Sequence, residues 1–304
     1  MPNDWVDPVT EPSEAPQARQ QLRSPDQDRD GKQDQVIRDR LDQLVGGSLD
    51  ERVESLERIL GSDVCRRIGV YKLPADFILS VIIPVYNEAA TITNVIARVR
   101  NTELSCEIIV VDDGSSDGTK EVLQALADEH GDDLRVFFHE KNQGKGAALV
   151  TGFQHATGDV VVVQDADMEY DPQDLRFLLQ PIVENYADVV YGSRFSGADR
   201  QVSPLWHLAA NQVITKLFSF RNGRKFTDVE TCYKVFRREL IQDLAPRLRE
   251  KRFGIELEIT ARLLKNREIR FYERPISYVR RTYAEGKKIG WRDGVWALWC
   301  ILRY

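Results

Sequence analysis

A chain of 304 residues with 42% hydrophobic side chains can bury one large core or two modest ones. Its formal net charge of −6 lacks the basic footprint of a nucleic-acid binder, and no nucleic acid is expected as a partner. Cys65, Cys106, Cys232 and Cys300 are scattered without a CxxC pair, which argues against a disulfide scaffold or zinc site and favours a reducing compartment. His130, His139, His155 and His207 form no metal-spaced cluster. The N-terminus shows no basic-plus-apolar leader, and no apolar run approaches the roughly 20 residues that span a bilayer. A soluble or peripheral protein is expected.

Residues 1–47 are rich in Pro, Gln, Asp, Arg and Ser and read as a disordered arm. A helical lead-in is expected over 48–76, with Leu49, Val53, Leu56, Ile59, Leu60 and Val64 at helical spacing through Ile68. Ser48 and Glu51 have the spacing of a capping box. From Phe77 the pattern alternates. Strands are expected at Ile78–Pro84, Glu107–Val111, Leu134–His139 and Val160–Gln164. Helices are expected at Ala89–Arg100, Thr119–His130 and Gly144–Thr157. Short apolar strands alternating with helices predict an α/β fold with a mainly parallel, Rossmann-like sheet flanked by helices. Ligands of such sheets sit beyond the carboxyl ends of the strands.

Polar motifs fall at those ends. The first strand closes on Pro84-Val85-Tyr86-Asn87-Glu88, where Tyr86 can stack on a base and Glu88 can accept from hydroxyls; helix capping explains the Asn-Glu pair equally well. The second closes on Asp112-Asp113-Gly114-Ser115-Ser116-Asp117-Gly118. An early Asp there can accept from a base N–H, and Asp117 suits a helix cap. Lys141-Asn142-Gln143-Gly144-Lys145-Gly146 enters a helix N-terminus, a natural anion site to which Lys145 adds charge. It is not a P-loop, and no strand-linked GxGxxG occurs, so a dinucleotide oxidoreductase is disfavoured. The fourth strand closes on Asp165-Ala166-Asp167. Carboxylates at i and i+2 can share one side of an extended chain and hold a hard cation such as magnesium or manganese. Alone, the triplet also fits a solvated turn.

In this order the motifs resemble the family 2 glycosyltransferases of GT-A fold, over about Leu79–Arg194. Four later segments narrow the likeness to the dolichyl-phosphate mannose synthase and polyprenyl-phosphate glycosyltransferase group: Val190–Arg194, Thr227–Lys234, Phe253–Ile259 and Arg281–Lys288. The resemblance implies a GT-A domain over 77–288 with a short antiparallel extension to the sheet. It implies that Pro84, Tyr86, Glu88, Asp112, Asp113, Lys145, Asp165, Ala166 and Asp167 bind a nucleotide-diphosphate sugar. Mg or Mn would sit on Asp165 and Asp167, with Glu169 where relatives often have Gln. Asp167, Arg194 and Arg281 are the implied catalytic residues, and Arg194, Arg281, Lys287 and Lys288 the implied phosphate or acceptor contacts.

The implied activity is inverting, metal-dependent transfer of a hexose from a GDP-mannose or UDP-glucose type of donor to a polyprenyl or dolichyl phosphate. An anionic acceptor oxygen needs no strong general base, in keeping with the lack of an obvious histidine. A soluble glycan or protein hydroxyl acceptor is the second reading, and a non-catalytic nucleotide-sugar-binding scaffold the third. Trp206, His207 and Asn211 are candidates for lining the acceptor, with packing equally open to them. Glu256 and Glu258 sit near a helix start, where carboxylates also favour the dipole. Residues 289–304 read as an amphipathic helix with Trp291, Trp296 and Trp299 beside Lys287, Lys288 and Arg292, suited to a bilayer interface. A cytoplasmic, peripheral location at the cytoplasmic membrane face is expected, with homo-oligomerisation left open.

Overall fold

A computed structural model describes residues 46, 48–196, 205–281 and 291–304. The arm over 1–45 and the basic residues Lys287 and Lys288 lie outside the described residues, as do the side chains of Trp206, His207, Trp291 and Arg292. The chain divides into two compact units, residues 1–55 and 56–304, and the second holds the sheet.

Helix α1, Leu49–Leu60, opens on the expected capping box. The Ser48 N–H donates to Glu51 Oε2 at 2.8 Å, and the Glu51 N–H donates to Ser48 Oγ at 3.3 Å. The lead-in is two helices rather than one. Gly61, at φ +82°, ends α1, and α2 restarts over Ser62–Arg67. The apolar periodicity runs through the break because periodicity carries no signal for one left-handed residue.

Seven strands form one sheet: β1 Leu79–Val85, β2 Cys106–Asp112, β3 Leu134–Phe138, β4 Val160–Val163, β5 Val189–Ser193, β6 Lys234–Arg237 and β7 Phe271–Pro275. Their order is β3-β2-β1-β4-β6-β5-β7. β1 to β4 pair in parallel, β5 and β7 pair in parallel, and β6 runs antiparallel to both β4 and β5. The flanking helices are α3 Ile92–Arg100, α4 Thr119–His130, α5 Lys145–His155, α6 Leu175–Val183, α7 Leu205–Asn222, α8 Arg238–Leu244, α9 Ile255–Leu263 and α10 Trp291–Arg303.

The four valines of β4 are buried, as a strand covered on both faces requires. β4 stops opposite Ile82 of β1, where the Gln164 N–H donates to Ile82 O at 2.9 Å. Alternation along a parallel strand turns Pro84 to the same side as Ile82, past the end of β4. Its missing N–H therefore costs no ladder bond, which is how a proline sits in a central strand. The early end of β4 opens a cleft over the carboxyl ends of β1, β2 and β4.

Candidate active site

The cleft has a volume of about 460 Å³, and Glu88, Thr91, Asp117, Asp167 and Arg281 are among the residues lining it. Two loops shape it with left-handed backbone. Asn87 stands at φ +52° and Met168 at φ +64°. Asn tolerates this conformation, and its Oδ1 accepts from the Ser116 N–H at 2.8 Å. Met168 is a larger side chain at positive φ, so the turn after Asp167 carries local strain of a kind that clusters at functional sites.

Arg281 ties the loops together. Its guanidinium donates to both oxygens of Glu88, at 2.9 and 3.2 Å, and to the Asp167 carbonyl at 2.6 Å. The Arg281 N–H donates to Glu169 Oε1 at 2.8 Å. The Tyr278 hydroxyl donates to Glu169 Oε2 at 2.6 Å. Glu169 thus spends both oxygens on the 278–281 segment. Among the described residues, no group of three or more His, Cys, Asp or Glu side chains is arranged to hold a metal ion.

Asp165 and Asp167 are placed differently. Lys145 Nζ lies 2.7 Å from Asp165 Oδ1. Asp167 accepts a weak local bond from the Glu169 N–H at 3.1 Å. Its carboxyl is pushed up to about 7, first by burial and then by the charges of Asp165 and Glu169. Excess negative charge at one point of a cleft is offset by a divalent cation, so these two aspartates fit one.

The other expected donor-binding residues have internal partners. Asp112 accepts from the Ser115 hydroxyl and, at 3.3 Å, from the Ser115 N–H. Asp113 accepts from the Gln143 and Gly144 N–H groups at 3.0 and 2.6 Å, and faces His139 Nδ1 at 2.7 Å. Asp117 accepts from the Thr119 N–H at 3.1 Å and the Ala89 N–H at 3.2 Å, bridging the start of α4 to the Glu88 loop. Ala166, buried, accepts on its carbonyl from the Thr91 hydroxyl at 2.8 Å. Pro84 and Tyr86 are half-buried beside the cleft loop.

The anion site expected at the start of α5 is closed. The Gly146 N–H donates to the Lys251 carbonyl at 2.7 Å, and the Ala147 N–H reaches the same oxygen at 3.3 Å. A Cβ on Gly144 would meet Lys251 O at 2.3 Å, and one on Gly146 would meet Glu250 O at 2.2 Å. These glycines admit a neighbouring backbone rather than a phosphate. From sequence the two uses look alike, because both need a missing side chain at a helix N-terminus.

Arg194 follows β5 and is held by Asp228, which is fully buried. Nε and one Nη donate to its two oxygens at 2.7 and 2.8 Å. The guanidinium also lies 5.3 Å from the Tyr278 ring. Glu88, Arg281, Glu169, Tyr278, Arg194 and Asp228 thus form one connected belt along the strand ends. Glu230 stands in the same loop as Asp228, its carboxyl pushed up to about 7 by burial. Asp228 and Tyr278 touch expected site residues and are not singled out by the sequence. The segment Thr227–Lys234 carries a family resemblance, but nothing in one sequence pairs Asp228 with Arg194.

Glu258 holds the Arg249 and Glu250 N–H groups at 2.8 and 2.7 Å, a use more specific than favouring the helix dipole. Asn211 accepts from the Thr215 hydroxyl on its own helix at 3.4 Å.

The sequence model of glycosyl transferase family 2 matches residues 80–245, more than half of the chain and every strand from β1 to β6. The chain belongs to glycosyltransferase family 2. A curated relative in Haloferax volcanii, glycosyltransferase AglJ, is 32% identical over 64% of this chain and 60% of its own length. The undecaprenyl-phosphate 4-deoxy-4-formamido-L-arabinose transferase of Pseudomonas aeruginosa is 32% identical over 56% of this chain and 49% of its own. This chain thus spans about half to 60% of the length of these relatives. Among solved structures, glucosyl-3-phosphoglycerate synthase of Mycobacterium tuberculosis, bound to Mn2+, UDP-glucose and phosphoglyceric acid, matches with TM-score 0.53 and 21% identity over 79% of each chain. Mannosyl-3-phosphoglycerate synthase of Rubrobacter xylanophilus matches with TM-score 0.55 and 20% identity over 83% of this chain and 75% of that one. The fold is GT-A, a family 2 sheet with β6 as its antiparallel member.

Proposed function

We propose that this glycosyltransferase moves a hexose, with inversion, from a nucleotide-diphosphate sugar to a polyprenyl phosphate. The observation that carries the reading is the Asp165–Asp167 pair at the early end of β4, with Asp167 pushed up to about 7 by burial and neighbouring charge. A divalent cation, Mg or Mn, held by these two carboxylates would stabilise the diphosphate leaving group. The chain's own residues do the rest. Pro84, Tyr86, Glu88 and Asp112 would hold the nucleoside. Arg281 fixes the Asp167 turn against Glu88 and brings a guanidinium to the leaving group. Arg194, its orientation set by Asp228, meets an acceptor phosphate. Lys287 and Lys288 would add charge for the phosphates. A phosphate acceptor is already anionic and needs no base, and Arg194 and Arg281 suit it by sign. The names of the relatives in Haloferax and Pseudomonas, one an undecaprenyl-phosphate sugar transferase, support the lipid acceptor.

One observation favours a second reading. Glu230, its carboxyl pushed up to about 7 by burial in the loop that holds Arg194, would suit the general base that a hydroxyl acceptor needs. A panel of UDP- and GDP-sugars with Mn2+ separates the readings. The lipid proposal expects sugar on short-chain polyprenyl phosphate. Transfer to a glycan hydroxyl alone would replace it, and no transfer with any pair would favour a binding scaffold.

The same reading places the enzyme at the cytoplasmic membrane face. Among the described residues no helix is long and apolar enough to cross a membrane. On α10 the side chains of Val295, Leu298, Trp299 and Leu302 are exposed, and on α7 those of Val213, Leu217 and Phe220 are exposed at helical spacing, Phe220 at 89%. Arg221 donates to the Leu302 carbonyl at 3.3 Å, joining the two helices. Lys216, Arg221, Arg224 and Lys225 stand exposed beside this face. An apolar face with a basic rim suits an anionic bilayer. Wild type should co-sediment with anionic liposomes, and Phe220→Glu with Trp299→Glu should abolish it. Equal sedimentation of the variant would remove the membrane role.

A further inference from the structure

The Lys145 ammonium is largely buried between two carboxylates. It lies 2.7 Å from Asp165 Oδ1 and 3.3 Å from Glu256 Oε1. Glu256, in the first turn of α9, is 5% exposed, and its Oε2 accepts from Lys234 Nζ at 2.6 Å. Lys234 is itself fully buried and also donates to the Thr231 carbonyl, so it is fixed in place. Glu256 Oε1 is buried and makes no hydrogen bond, the longer ion pair to Lys145 being its contact with a cation. A buried carboxylate oxygen without a hydrogen bond has room for a closer donor. Here it faces the same ammonium that holds Asp165.

The backbone at Lys145 cannot follow a moving ligand. Asp113 grips the Gly144 N–H at 2.6 Å, and the Lys251 carbonyl grips the Gly146 N–H at 2.7 Å. Only the four-carbon stem is free to turn, and a compact ammonium needs only a small turn to trade one carboxylate for the other. A buried lysine can leave Asp165 only if another negative group receives it, since an unpaired buried charge is strongly unfavourable. Glu256 Oε1 is that group.

We propose that Lys145 is a stand-in cation. It neutralises Asp165 while the divalent ion is absent, and passes to Glu256 Oε1 when that ion occupies Asp165. Glu256 is then a positioning residue that acts through Lys145. The proposal rests on the reading of Asp165 and Asp167 as the divalent-cation site. It makes the site hard to load with stray cations, because a resident ammonium must first be displaced.

Mn2+ alone, added to the full chain, is the probe, with free Mn2+ followed by electron paramagnetic resonance. Lys145→Met should tighten Mn2+ about tenfold, and Glu256→Gln should weaken it several-fold, as expected for contacting groups in one charge network. The decisive arm is the double variant. Glu256→Gln should change Mn2+ affinity less than about twofold once Lys145 is Met, because the lysine it serves is gone. An equal effect in both backgrounds, or weaker binding in Lys145→Met, would overturn the proposal. Lys145→Gln replaces Lys145→Met if thermal melting shows the latter unfolded. Asp165→Asn tests the underlying reading separately. Binding unchanged in Asp165→Asn would remove the cation site itself, and the stand-in with it.

Discussion

Asp188 and Asp167 both border buried strands, yet the fold treats them in opposite ways. Asp188, just before β5, accepts from the Arg270 guanidinium at 2.6 and 2.9 Å, from the Arg270 N–H at 2.9 Å and from Arg237 at 3.1 Å. Those bonds, led by Arg270, hold its carboxyl well below the usual carboxylate range. Asp167, just after β4, is pushed up to about 7 by burial and by Asp165 and Glu169. One carboxylate is finished by arginines and serves the fold. The other is left among its own sign, the arrangement a binding site needs and a structural site avoids.

The largest expected effect separates the two by activity. Asp167→Asn should lower sugar transfer at least about 100-fold, the scale for losing electrostatic stabilisation of a leaving group, while its melting temperature stays level or rises. A variant that keeps wild-type transfer would erase the contrast. Asp188→Asn should behave the other way. Its transfer per folded molecule should stay within about twofold of wild type, while stability drops by about 1 kcal/mol, a modest figure because solvent screens the half-exposed Arg270. Urea melts at fixed pH measure it, and a loss of turnover without a loss of stability would contradict it.

The smallest effect is in the pH dependence. Asp167 binds its proton more tightly folded than unfolded, so its contribution to stability falls as pH rises from the ordinary carboxylate range to about 7. Asp188 has the opposite sign. Its stabilisation is present above the ordinary carboxylate value and is lost as pH falls through its lower folded value. The stability gap between Asp167→Asn and wild type should therefore widen toward pH 7 and narrow when Mn2+ is added. A gap that ignores both pH and Mn2+ would show that Asp167 carries no stored charge cost.

The strands and the acidic triplet could be read from sequence because both are local. Four valines in a row make a strand covered on both faces, and Asp165-Ala166-Asp167 follows them directly. Partners distant in sequence could not be read. Asp228 meets Arg194, Glu256 meets Lys145, and Lys251 closes the start of α5, each through chain segments that composition does not connect. The apolar face of α7 was also missed as a surface. Val213, Leu217 and Phe220 look like core residues until the fold shows that nothing in the described chain buries them. The Gly144–Gly146 segment misled for a physical reason, since a glycine that admits a phosphate and one that admits a backbone carbonyl leave the same mark.

The most direct test is metal add-back during lipid-linked transfer. Wild type and Asp167→Asn are stripped with chelator and then assayed with polyprenyl phosphate and their best nucleotide sugar, with and without Mn2+. The account predicts transfer by wild type only after Mn2+ is restored, and none by Asp167→Asn in either condition. Full transfer by stripped wild type, or by Asp167→Asn, would contradict it.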